Sequence, residues 1–430
     1  MGVSLKQEEP RINSTSSKGQ TIAFTQLHGR MKSLVSQSIG YQRKLKVLFV
    51  NHTGKVGGAE VSLLTLLDWL NRLYGKSIQL MLAAPDDGDL LERAERCGVI
   101  IFPTNWLKRL KRPSNMRHLL NMIASIGRGS LKALKLLHSI SPHIVHCNSL
   151  QSSLYFVLPT AFKRLPLVWH CRDLLMPKVV AMFVGAFCDA IISISSAVAK
   201  ELIKLGISER KVRLIYNAVD VSALKHVNNE QVKRFREACG VGEDGILVGM
   251  IAHMTPWKRH DLFIRMASSV AKERKDVRFV IVGGDIFEEQ SGWLCFLSRM
   301  TKELSLEGAL KFVGECKDIA IAVNAMDILV HPSPTEPFGR AIAEAMAVGK
   351  AVVAINAFGP AELIKHQENG LLVPSATPEA LSKAVLRLVE NEPLRLKLGE
   401  AAAKFVQTHL SPQLHAEKVF QLWLECSRSP

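Results

Sequence analysis

Two carboxylates, Glu336 and Glu344, stand eight residues apart in HPSPTEPFGRAIAEAMAVGKAVVAINAFGP (331–360), and the residues between them suit an anion. Glu336 lies in SPTEPFG, where two prolines and a glycine forbid continuation of either strand or helix. From Arg340 an apolar-periodic run continues to Gly349, so Glu344 falls about one turn into a helix. The amides of Phe338, Gly339 and Arg340 are then donors at a helix start, whose partial positive field favours phosphate. A diphosphate fits between the acids, one at each end of an elongated ligand. Taken alone, such a pair would be a solvated loop residue and a helix former; the anion-suited start between them argues for a ligand.

These groups need a scaffold that brings strand ends and helix starts together. ILVHP (328–332) and AVVAIN (351–356) are short, continuously apolar runs of the parallel-sheet kind, and the helix between them completes a βαβ unit. Equivalent runs recur at KVLFVN (46–51), SIQLMLAA (77–84), VIIFP (99–103), IVHCN (144–148), PLVWHC (166–171), AIISIS (190–195) and VRLIYN (212–217). A second series follows at ILVGMIA (246–252), VRFVIVGG (277–284) and LKFVGE (310–315). Helix-length segments separate them, which predicts α/β architecture with helices on both faces of parallel sheets. Gly57 and Gly58 fall at the first strand-to-helix turn and Gly283 at a later one, where open sheets meet ligands. His146 and His170 each close a strand and are pocket candidates. Asp-x-Asp in DDGD (86–89) precedes LLERAERCG and is read as a helix cap, so no metal site is expected.

EPFGRAIAEAMAVGKAVVA resembles the donor-binding segment of glycosyltransferases built from two facing Rossmann-like domains, the GT-B architecture, and in particular the large retaining family 4. GPAELI (359–364) and NGLLVP (369–374) resemble the next two pieces of that family in the same order. The glycine pair at 57–58, WHCRDL, and VRLIYNAVD are similar to segments of its first half. The resemblance implies a nucleotide-sugar donor, UDP- or GDP-linked, no cofactor, and a glycan, lipid-linked or other acceptor. It places Glu336 at the donor sugar, the 338–339 amides on the diphosphate and Glu344 on the ribose. It puts His170 near the reacting centre, with Arg172 and Asp173 beside it. HMTPWKRHDLFIRMA resembles the segment in which an Arg and, five residues on, a Lys hold the donor phosphates. Lys258 matches the Lys, but His253 stands at the Arg position and Arg259 where glycine is common. Either His253 donates as a neutral group, or Arg259 or Arg340 supplies the charge. The expected catalytic set is His170, Glu336 and Lys258.

A chain of 430 residues with 47% apolar composition can bury two domains. Residues 1–44 read as a mobile basic tail, 45–220 as an acceptor-side domain, 221–244 as a polar linker, and 245–410 as the nucleotide-sugar domain. Residues 411–430 are expected to form a helix crossing back. Eight cysteines without CxxC spacing read as free thiols of a reducing cytoplasm. The most apolar window, 179–198, splits into a helix and a buried strand rather than a membrane span. Net charge is +16, and no Asp or Glu occurs from Arg96 to Arg172, against twelve Lys or Arg. With Trp106, Leu107, Leu110, Leu119, Leu120, Met122 and Ile123 interleaved, this segment reads as a basic amphipathic surface for anionic lipid, a peripheral attachment. No nucleic-acid-binding motif accompanies it. A nucleotide-sugar epimerase and a silent nucleotide-sugar-binding protein of the same fold are the alternatives.

Overall fold

Short runs rich in Val, Ile and Leu form strands that are buried on both faces at the middle of each sheet, so each sheet requires helices above and below. The computed structural model describes residues 44–427 apart from 112, 243, 286–290 and 317. The expected basic tail lies outside the described residues but for Lys44. The first sheet contains β1 Leu45–Val50, β2 Ile78–Ala84, β3 Ile100–Pro103, β4 Ile144–Cys147, β5 Leu167–Cys171, β6 Ala190–Ser193 and β7 Val212–Leu214, in the order 3-2-1-4-5-6-7. The second contains β8 Ile246–Ile251, β9 Val277–Val282, β10 Leu310–Gly314, β11 Ile328–His331, β12 Ala351–Ile355 and β13 Leu371–Val373, in the order 10-9-8-11-12-13. Every strand pairing is parallel. This is the α/β architecture of two Rossmann-like sheets. In each, chain order reverses at one place, between β1 and β4 and between β8 and β11. Loops leaving those strands diverge there and leave a crevice at the carboxyl edge.

One face of the first sheet, with Leu48, Val50, Trp169 and Cys171, is covered by helices Met116–Ile140, Leu150–Lys163 and Lys178–Phe187. The other, with Val47, Phe49 and Val168, is covered by helix Gly58–Tyr74 and the final helix Pro412–Cys426, whose Phe420 ring stacks 4.0 Å from Tyr74. The chain therefore returns to its first sheet at its end.

The polar stretch 221–244 holds two helices, Val221–Lys225 and Asn229–Ala238, capped by Asp220 and Asn228. Arg236 fastens the second to Asp327 Oδ2 at 2.9 Å and to the carbonyls of Ala325 and Gly245. Its polarity belongs to exposed helix faces. In the basic segment, Leu107 is buried and Trp106 lies against Tyr155 and Phe156, whereas Leu120 and Ile123 are exposed. Periodicity alone could not say which apolar residues the sheet would claim. Asp89 stands at the start of helix Leu90–Arg96 but pairs with Arg93 instead of capping, and Asp87 accepts the Gly54 amide at 2.5 Å. All eight cysteines are unpaired. Among the described residues no helix is long and apolar enough to cross a membrane.

Candidate functional site

The loops that leave β8 and β11 meet at the second sheet's reversal point. Lys258, in a single 3-10 turn after β8, reaches Glu336 Oε2 at 2.5 Å, and both side chains are nearly enclosed, at 12% and 10% exposure. The same oxygen lies 3.1 Å from His331 Nε2, at the last position of β11. Burial alone would raise the Glu336 carboxyl, but Lys258 and then His331 outweigh it and hold it well below the carboxylate range. The Lys258 ammonium also sits 4.0 Å from the centre of the Trp257 ring. The Gly339 amide, expected as a phosphate donor, gives its hydrogen to Glu336 Oε1 at 3.2 Å. The loop thus folds its carboxylate back onto the start of helix Arg340–Ala347. Gly339 at φ 95° occupies the left-handed region that makes this reversal cheap.

Arg340 and Glu344 pair one turn apart, Nε to Oε1 at 2.7 Å. Arg340 Nη1 also donates to Ser62 Oγ at 2.8 Å, on helix Gly58–Tyr74 of the first sheet. The two sheets' edges therefore face each other, and the glycine pair lies at the meeting point. A Cβ on Gly57 would come 3.3 Å from His253 Nε2, and one on Gly58 would come 3.6 Å from the Arg340 side chain. Burial, reinforced by Lys258, lowers the His253 pKa and so favours the neutral imidazole. Arg259 closes its fork on the neighbouring Asp261, with Nη2–Oδ2 at 2.9 Å and Nε–Oδ1 at 3.0 Å. Its left-handed backbone, φ 60°, explains why glycine suits this position. Gly283 is obligatory at its turn, since a Cβ would stand 1.9 Å from the Ala252 carbonyl oxygen.

The histidine expectation is corrected. Alternation along β4 and β5 puts His146 with Ile144 and His170 with Val168, on the face beneath the final helix. Both rings are fully buried. His146 Nε2 lies 3.3 Å from His170 Nδ1, Trp423 Nε1 donates to His146 Nδ1 at 3.1 Å, and the His415 ring stands 6.0 Å from His170. Burial first, then Arg172, keeps both neutral. His170 is a core residue of this face and does not open on the facing edges. Arg172, just past the end of β5, does carry a polar chain. Its Nε donates to Asn148 Oδ1 at 3.0 Å and its Nη1 to Asn217 Oδ1 at 2.8 Å. Asn148 continues to Asn51, and Asn51 to Glu60 at 3.1 Å. Arg172 Nη2 is buried without a protein partner, and burial lowers the guanidinium to about 10.

Sequence reasoning missed His331, Ser62 and Glu362. His331 carries the same strand-end signal as His146. Ser62 is recognisable only from tertiary structure. Glu362 accepts the amides of Ser196 and Ala197, both at 2.8 Å, and the Tyr216 hydroxyl at 3.0 Å, so it caps a first-half helix from the second half. Among the described residues no three His, Cys, Asp or Glu side chains converge as metal ligands.

Comparison with known proteins covers both halves. Residues 56–223 match the profile of Glycosyltransferase Family 4, and residues 231–405 match that of Glycosyl transferases group 1. The lipopolysaccharide core biosynthesis mannosyltransferase LpcC of Rhizobium leguminosarum bv. viciae is 30% identical over 186 residues, 41% of this chain and 53% of that one. The N,N'-diacetylbacillosaminyl-diphospho-undecaprenol alpha-1,3-N-acetylgalactosaminyltransferase of Campylobacter jejuni is 28% identical over 222 residues, 51% and 56% of the two chains. The chain thus spans about half the length of the curated relatives it matches. Anabaena HepE, solved with UDP-glucose, superposes with a TM-score of 0.76 over 88% of this chain and 99% of HepE at 23% identity, a likeness of fold.

Proposed function

From a chain that belongs to the family 4, group 1 glycosyltransferases, we propose transfer of a sugar from a UDP- or GDP-linked donor to a glycan or lipid-linked acceptor, with retention at the anomeric carbon. The observation that carries this reading is the Lys258–Glu336–His331 cluster beside a helix start, opposite the Gly57–Gly58 turn. In transfer, negative charge grows on the leaving diphosphate, and a fixed cation in a nearly dry crevice stabilises it strongly. Lys258 is that cation. Glu336 holds it in place and, once the ammonium turns to phosphate, takes the sugar hydroxyls. His253 donates to the phosphates as a neutral group, and Glu344, steadied by Arg340, takes the ribose. Arg172 supplies the cationic contact on the acceptor side. On this reading residues 45–220 carry the acceptor and 245–410 the nucleotide.

A lipid-linked acceptor is supported by the name of the C. jejuni relative, which specifies a diphospho-undecaprenol-linked sugar. Incubation with a panel of nucleotide sugars and a membrane extract tests the proposal. A labelled glycan or glycolipid is expected, and Glu336→Ala should form none. Isomerised donor, or donor binding without transfer, would overturn it.

A further inference from the structure

One helix layer presents apolar side chains on its outer side. Helices Met116–Ile140, Leu150–Lys163 and Lys178–Phe187 lie side by side over one face of the first sheet. Gly129 brings the first two close, since a Cβ there would stand 2.4 Å from the Tyr155 ring. Ala133, Leu137, Tyr155, Phe156, Ala181 and Val184 point to the sheet, so the opposite sides of the three helices share one outward surface. That surface exposes Leu120, Ile123, Phe162 (77%), Val179 (80%), Phe183 and Phe187. From Met116 to Ala124 the long helix has no buried residue, and it first packs on the core at Ile126, so its first turns stand clear of the sheet. Met116, Leu120 and Ile123 follow the i, i+4, i+7 spacing of an apolar helix face.

Charge selects the occupant. The three helices hold six exposed Lys or Arg, among them Arg117, Lys132 and Lys163, and no acid. From Arg96 to Cys188 the sole acidic residue is Asp173. Apolar side chains set among cations match an anionic bilayer, whose headgroups take the charge while its acyl boundary takes the aromatic and aliphatic groups. A second copy of the chain would oppose like charge to like.

We propose that this layer seats the protein on an anionic lipid bilayer, with the first turns of the long helix, 116–124, and helix Lys178–Phe187 reaching the acyl boundary. Seating needs no turnover, so it stands or falls apart from the donor-site reading. The full chain should sediment with vesicles of phosphatidylglycerol and phosphatidylcholine in roughly equal parts, and about tenfold less with phosphatidylcholine alone. Phe162→Glu with Phe183→Glu, and Leu120→Glu with Ile123→Glu, should each lower binding about tenfold or more at the same salt. Their exposed positions leave the thermal midpoint unchanged. Double variants that bind like the parent, with binding abolished by salt alone, overturn the apolar seating. A parent chain that ignores anionic vesicles, whether or not it dimerises or holds an acidic protein, overturns the proposal.

Discussion

Two clusters at strand ends make an instructive pair. His146, His170 and His415 lie beneath the final helix, and Lys258, His331 and Glu336 lie at the second sheet's reversal point. Each is built from polar residues where a parallel strand stops. The first faces a sheet surface that Trp423 and Phe420 seal, so burial empties it of charge. The second keeps an ammonium and a carboxylate in contact, and the pair holds the acid ionised despite its burial. A strand-end polar residue is therefore structural or chemical according to the face it is on and what covers that face.

The largest effect that can break this contrast is removal of one charged partner. Lys258→Ala and Glu336→Ala should each reduce turnover roughly a thousand-fold or more. Lys258→Ala also leaves a buried carboxylate without its cation, at a cost of about 3 kcal/mol in urea unfolding. Lys258→Met combined with Glu336→Gln should recover most of that stability and none of the activity. If the single variants unfold and turn over like the parent, the cluster is ordinary surface.

Acid should separate the clusters next. The buried histidines have folded pKa values below their unfolded value, so below about pH 6.5 the unfolded chain binds more protons and stability falls with pH. His415, pushed down to about 3 by burial and then by Arg172 and Lys418, should alone cost on the order of 2 kcal/mol by roughly pH 4.5. The Glu336 contribution has the other range: its depressed carboxyl gives stability that persists down to about pH 4.5 and is lost only below. Thermal midpoints should thus decline in two stages, and His415→Leu should flatten the upper one. A parent midpoint constant from pH 6.5 to 4.5 would mean the sealed cluster is not dry.

The sequence shows why one cluster was legible and the other misread. Each of the twelve longer apolar runs contains its strand, Leu45 of β1 apart, because continuous Val, Ile and Leu favour an element buried in a sheet, but 190–195 and 212–217 overshoot β6 and β7 by two and three residues; the short β13 is too brief to stand out. Glu336 and Arg340 drew notice because a proline-rich loop, a helix start and a family resemblance coincide on them, and Lys258 through the resemblance alone. His170 was not, because its direction depends on strand parity and on a helix arriving from more than two hundred residues away. Arg340 with Ser62, and Glu362 with Ser196, are likewise contacts between distant segments that no local pattern encodes.

Glu362 bears on how firmly the halves are joined. Its carboxylate takes two helix-start amides and a tyrosine hydroxyl from the first half. Glu362→Gln loses the charge and one acceptor, costing about 1 kcal/mol. The expected outcome is a larger radius of gyration by small-angle scattering and a donor KM raised a few-fold. An unchanged radius would mean that other contacts, such as Val219 with Leu410, hold the halves.

Gly57→Ala is the mildest probe and bears on the edges themselves. The new methyl would sit 3.2 Å from Glu60 Oε2 and 3.3 Å from His253 Nε2, so both neighbours must yield by a few tenths of an ångström. Stability should change by less than about 1 kcal/mol, because both are side-chain atoms able to shift. Donor KM should rise about two- to five-fold, since His253 moves away from the phosphates while Lys258 and Glu336 stay put, and kcat should hold. A drop in kcat with KM unchanged would place the methyl's effect on the transition state instead, and would make His253 part of the leaving-group contact rather than of donor binding.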